Sequence, residues 1–147
     1  MNLKAWLESQ LEGKDVPLDL TPEQQDLHGL TLLDAINAHN AWIDKLQLTL
    51  RGQNPEEYDP EVVGADHLCK VGKWIYAEGK DLSNFPEYEK VRTAHAAFHA
   101  CAGNILKLHS HKKFGEALML IRGDLTNHSK EVKIALVSLL LAYHENR

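Results

Sequence analysis

Four stretches of this chain place apolar residues three and four apart with few interruptions, and that period commits the chain to helices. Leu32, Ala35, Ile36, His39, Ile43, Leu46 and Leu50 trace one face. Leu68, Cys69, Gly72, Ile75 and Tyr76 trace a second, shorter one, up to Gly79. Val91, Ala94, His95, Phe98, Ala102, Ile105 and His109 trace a third, opened by Asn84 to Pro86 and ending near Lys113. Leu118, Ile121, Leu125, His128, Val132, Ala135, Leu139 and Tyr143 trace a fourth. Thr21-Pro22-Glu23-Gln24 reads as a capping box with proline at the first helical position, so the first long helix is expected to run from there to Gly52. That is nearly thirty residues, about 45 Å. Gly52 to Pro60, with Asn54-Pro55 and Asp59-Pro60, reads as a polar loop. Leu3, Trp6, Leu7 and Leu11 form a short amphipathic helix joined by a linker around Val16-Pro17. The expected fold is all-α: a four-helix bundle with an additional short N-terminal helix, residues 1–20 forming an arm and residues 21–147 the bundle.

The chain has 147 residues, enough for one core without disulfides, and its five prolines and nine glycines leave few breaks in the pattern. A formal charge of -5 with scattered Lys and Arg argues against nucleic acid. The cluster His109, His111, Lys112 and Lys113 is read instead as cations at the last turn of a helix. The longest apolar run, Ile134 to Tyr143, is too short for a bilayer, and the first residues lack an apolar signal core, so no membrane role is expected and the cytoplasm is the expected location. Cys69 and Cys101 are expected to be free thiols or metal ligands in a reducing compartment.

His39, Cys69, His95 and His99 are four soft or borderline metal ligands, each placed on the core-facing side of a helix. Zinc prefers nitrogen and sulfur donors in a tetrahedron, and three imidazoles plus one thiolate complete such a shell. His95 and His99, four apart, differ by about 40° in azimuth and about 6 Å in rise, close enough to share an ion. Cys101 lies about 120° from His95 and His67 about 160° from Cys69 around their axes, so both read as bystanders. His128 reads as a core histidine satisfied by a hydrogen bond. His28, His109, His111 and His144 read as surface or helix-end residues.

Ala38-His39-x-x-Trp42, Cys69-x-x-Gly72-x-Trp74-Ile75, Ala94-His95-x-x-x-His99 and Ser129-x-x-Val132-x-x-x-Leu136 occur in this order from about residue 30 to residue 143. Together they resemble the chemoreceptor zinc-binding (CZB) family. The resemblance implies a helical bundle holding zinc by three His and one Cys, carried over position by position to His39, Cys69, His95 and His99. It further implies regulation of bacterial chemoreceptors or diguanylate cyclases, commonly as a homodimer. Such domains often accompany a signalling or cyclase region, for which 147 residues leave no room; unless the chain is an excised piece, the expected output is a protein signalling partner in trans.

A completed four-ligand shell suits sensing or structure better than hydrolysis. A zinc-bound Cys69 thiolate would also make the chain an oxidant sensor, for instance of hypochlorous acid. A hydrolase needs an open coordination position and a general base, and the segment His-Ala-Ala-Phe-His lacks the Glu of a metalloprotease motif. No catalytic residue and no organic cofactor is assigned. A di-iron site is disfavoured because the inner faces lack Glu-x-x-His pairs, and a purely structural bundle is the remaining alternative.

Overall fold

The computed structural model describes residues 3–14, 16–54 and 56–145. Pro55 of the expected polar loop, Asp15, and the chain ends at Met1, Asn2, Asn146 and Arg147 lie outside them. The described chain is an all-α bundle with one two-residue antiparallel strand pair.

Helix α1 (Leu3–Leu11) is followed by a single turn, α2 (Pro22–Gln25), then by strands β1 (Asp26–Leu27) and β2 (Leu30–Thr31). The Thr21 capping box forms as expected, its hydroxyl accepting from Gln24 N and the Gln24 amide oxygen accepting from Thr21 N. The helix it starts does not reach residue 50, however. His28 and Gly29 both adopt positive φ (48° and 93°), as a two-residue hairpin turn requires, and pair Leu27 with Leu30. The turn is held from outside: Trp74 Nε1 donates to His28 O at 3.0 Å, and His28 Nε2 lies 2.9 Å from Asp81 Oδ2. Leu27 and Leu30 are both buried, and their spacing of three also fits a helix, so the apolar pattern alone does not report the break.

Helix α3 (Leu32–Leu50) then buries Leu32, Ala35, Ile36, His39 and Leu46. A second one-turn helix, α4 (Pro60–Gly64), is capped by Asp59, whose Oδ1 accepts from Glu61 N at 2.9 Å. Helix α5 (Lys70–Tyr76) and a 3₁₀ turn over Glu78–Leu82 lead into α6 (Pro86–Ser110), with proline at its first position. Helix α7 (Phe114–Leu120) continues through a π-helical turn, Ile121–Leu125, into α8 (Thr126–Glu145). The wider turn explains a register difference: Ala117, Ile121 and Leu125 are buried at spacings of four, while Leu118 is 38% exposed.

Helix α6 runs through the middle. It packs along α8 on one side and carries α4 on the other. That second contact is backbone on backbone, since a Cβ at Gly103 would stand 2.9 Å from Gly64 Cα and 2.8 Å from Pro60 O. Val132, Ala135, Leu136, Val137, Leu139 and Leu140 of α8 are all buried within this chain, because α3, α6 and α1 cover its different faces. The breadth of apolar sequence on α8 therefore requires no second copy. Trp6 is the anchor of α1, 1% exposed, with Nε1 donating to Val16 O at 2.8 Å and the Lys133 ammonium 5.3 Å over its ring. His128 is half-buried, its Nδ1 3.8 Å from Glu131, and is not the core histidine the stripe suggested.

Candidate metal centre

The ligand-bearing residues come from three segments. His39 stands on α3, His95 and His99 stand one turn apart on α6, and Cys69 stands between α4 and α5. Cys69 is not on a helical face, as its sequence period suggested. It is the N-cap of α5, with φ and ψ of -79° and 166°, and its Sγ accepts from Gly72 N at 3.3 Å. Helix geometry fixes the N-cap side chain against the first turn, so the sulfur is aimed by the helix it begins. Gly72 is needed for this fold-back. A Cβ there would lie 1.8 Å from Asp66 O, in the turn leading into the cap; the close neighbour is local backbone, not a second helix.

The four side chains converge: one ligand atom from each of His39, Cys69, His95 and His99 lies within 4.8 Å of all the others. Cys69 Sγ is 3.2 Å from His95 Nε2. Donors around a tetrahedral zinc with Zn–N about 2.05 Å and Zn–S about 2.3 Å stand roughly 3.3–3.6 Å apart. The Cys69–His95 edge is already close to that spacing, and a pair at the 4.8 Å limit must draw in by about 1.2–1.5 Å.

Hydrogen bonding tests whether the residues suit a metal. His39 Nδ1 lies 2.9 Å from Ala35 O and His99 Nδ1 lies 2.8 Å from Val63 O. A carbonyl oxygen only accepts, so in each neutral ring the proton sits on Nδ1 and the lone pair on Nε2. Both of those Nε2 atoms are buried without a partner. An orphaned buried acceptor costs about 1–3 kcal/mol, and two of them turned toward one thiol form a donor set that a cation would satisfy. Backbone carbonyls on Nδ1 are also the usual support of a ligating imidazole. His95 differs, because its Nδ1 is buried without a partner and its ring is held by the Cys69 contact and by packing on His39 and His99, 5.0 and 4.5 Å away.

Electrostatics point the same way. Burial, then the neighbouring His99 and His39, pushes His95 down to about 2. Burial lowers His39 and His99 as well, against the opposing pull of their carbonyl partners. All three rings are therefore neutral near pH 7, with lone pairs available. Burial raises the Cys69 thiol, opposed by the N–H groups of Gly72 and Val71. The thiol holds its proton until a cation displaces it, so metal uptake releases a proton from the sulfur.

Among the described residues, His67, Cys101 and His128 stand outside the cluster. The supporting carbonyls escape a reading of the sequence for different reasons. Ala35 is four residues before His39 on the same helix and follows from helix geometry, whereas Val63 depends on how α4 docks on α6. Phe98 packs on His39 with ring centroids 5.2 Å apart, and Trp42 and Tyr58, 5.1 Å from each other, line a pocket beside Cys69 and His99.

No helix among the described residues is long and apolar enough to cross a membrane. Comparison with curated proteins and with solved structures returned no match. Residues 39–106 match the family model of the CZB, or chemoreceptor zinc-binding, domain; the match begins at His39 and spans all four residues of the cluster. That segment, a little under half of the chain, is thus similar to the chemoreceptor zinc-binding domain, a family whose cofactor is zinc.

Proposed function

We propose that this chain is a zinc-responsive regulatory protein that holds one zinc ion through His39, Cys69, His95 and His99. The observation that carries the reading is the pair of buried, unpartnered Nε2 atoms of His39 and His99, turned with Cys69 and His95 toward one point. Bound there, zinc would act as a cross-link rather than a Lewis acid, since four protein donors leave no open position. The chain's residues do the rest. Ala35 and Val63 fix two imidazoles, Gly72 fixes the sulfur, and the site joins α3 and α6 to the irregular segment before α5. A site complete in only one arrangement stabilises that arrangement by the metal's binding free energy, so occupancy becomes a conformational signal. The output in this reading is a signalling partner in trans, of the chemoreceptor or diguanylate cyclase type, and the working unit is a homodimer. The exposed apolar residues Phe114, Leu118 and Met119 support a protein-facing surface on α7. Elemental analysis and zinc titration of chelator-stripped protein test the reading. One equivalent per chain, lost in His39→Ala, is expected, and no uptake would end it.

A second reading, compatible with the first, makes Cys69 an oxidant sensor. Cys69 is the only ligand of the four that is not fully buried. Two-electron oxidation of its thiolate to sulfenic acid, with hypochlorous acid reduced to chloride, would remove the anionic ligand and loosen the metal.

A further inference from the structure

A pocket of about 310 Å³ opens beside the cluster and reaches two of its members, Cys69 and His99. Its walls are mainly apolar: Trp42 and Tyr58 meet edge to face at 5.1 Å, and Val62 and Leu68, 52% and 44% exposed, line it as well. The Tyr58 wall is fixed in place, since Asn54 Nδ2 lies 3.3 Å from Tyr58 OH and 3.2 Å from Thr49 Oγ1. Glu57 and Asp59 line the same pocket and are exposed. Asp59 commits one oxygen to the α4 cap, and Glu57 has no ion pair among the described residues. Lys45 stands beside this wall, 4.8 Å over the Trp42 ring, one cation against the two carboxylates that line the pocket.

Acidic residues at a pocket mouth are common. Here the pocket also leads to a buried acceptor with no partner, His99 Nε2, on a residue 3% exposed. His39 and His95, 4% and 0% exposed, lie behind. Resting on the zinc reading above, we propose that this pocket is the vestibule through which a divalent metal ion enters and leaves, with Glu57 and Asp59 as its cation-attracting rim. A hydrated ion is drawn to the rim, exchanges water for the half-buried Cys69 and for His99 at the pocket floor, and is then taken over by His39 and His95. A rim of one sign set in low-dielectric walls raises the local concentration of the opposite charge, so the rim acts on rates at low salt.

The test is stopped-flow binding of Zn²⁺ to the metal-free full chain at low ionic strength. The first variant carries Glu57→Gln with Asp59→Asn, Asn being an equally good helix cap. Its association rate should fall about tenfold, the difference shrinking as salt is raised. The control carries Glu8→Gln with Glu23→Gln, neither of which lines the pocket, and should stay within twofold of the parent. The second variant, Val62→Trp, fills the mouth from an exposed position. It should slow association and release by the same factor and leave the dissociation constant unchanged, as an obstruction does. Unaltered rates in both variants, or equal slowing by the control pair, overturn the vestibule while leaving zinc binding intact. A parent chain that takes up no zinc overturns both.

Discussion

Gly103→Ala should weaken zinc binding without touching a ligand. The added Cβ would lie 2.8 Å from Pro60 O, 2.9 Å from Gly64 Cα and 3.1 Å from Gly64 N, all backbone, so no side chain can swing aside. Carbon contacts relax near 3.5 Å, so α4 must retreat from α6 by about 0.6 Å. Helix α4 also presents Val63 O to His99 Nδ1 at 2.8 Å, and the same retreat stretches that bond past the ordinary 3.2 Å limit. Losing the orienting partner of a metal-bound histidine typically costs 10–100-fold in affinity, about 1.4–2.7 kcal/mol. Overpacking costs a further 1–3 kcal/mol of fold stability, offset by about 0.5–1 kcal/mol because alanine is the better helix former. Gly115→Ala supplies the comparison. It stands on α7 with nothing within 4 Å of an added Cβ, and should be neutral or slightly stabilising with unchanged zinc affinity. Urea unfolding of the metal-free proteins and competitive zinc titration measure the two quantities separately. A Gly103→Ala protein that binds zinc as tightly as the parent would refute the argument that α4 positions His99.

His95→Ala should lose zinc binding. His128→Ala should keep it and cost less than about 1 kcal/mol of stability, because its half-buried ring makes only a 3.8 Å contact with Glu131; competitive titration separates the two. The metal-free chain should lose stability on acidification. The folded His95 value of about 2, and the lowered His39 and His99, lie below the unfolded value of about 6.5, so stability is full above that pH and falls below it. His95 alone accounts for about 1 kcal/mol between pH 6.5 and 5.5, and pH-resolved unfolding that is flat across this interval would contradict its burial as a neutral ring. Under mild hypochlorous acid, peptide mass spectrometry should find zinc-loaded Cys69 oxidised before Cys101, whose thiol burial and Asp124 push up to about 11. Modification of Cys101 first would remove the oxidant-sensing reading and leave the zinc-sensing one.

What the sequence could reveal was set by how locally each feature is determined. The three-and-four spacing located α3, α6 and α8, and the Thr21 and Pro86 signals fell at true helix starts. His95 and His99 were legible as a pair because both lie on one helix. Cys69 was singled out with the three histidines it lies beside but misplaced on a helical face, because an N-cap one residue before a helix keeps much the same period. The His28-Gly29 turn, the one-turn α4 and the π turn at Ile121–Leu125 each hang on tertiary partners, which apolar spacing does not encode. The broad apolar surface of α8 is covered from within the chain, by α3, α6 and α1, which the apolar spacing of α8 alone does not tell.

The central claim is the donor set, and X-ray absorption at the zinc edge of protein purified without chelator reads it most directly. The account predicts one zinc per chain with three nitrogen neighbours at about 2.0–2.1 Å and one sulfur at about 2.3 Å, the sulfur shell disappearing in Cys69→Ser and surviving in Cys101→Ser. A first shell with no sulfur, or one that loses its sulfur only when Cys101 is replaced, would contradict it.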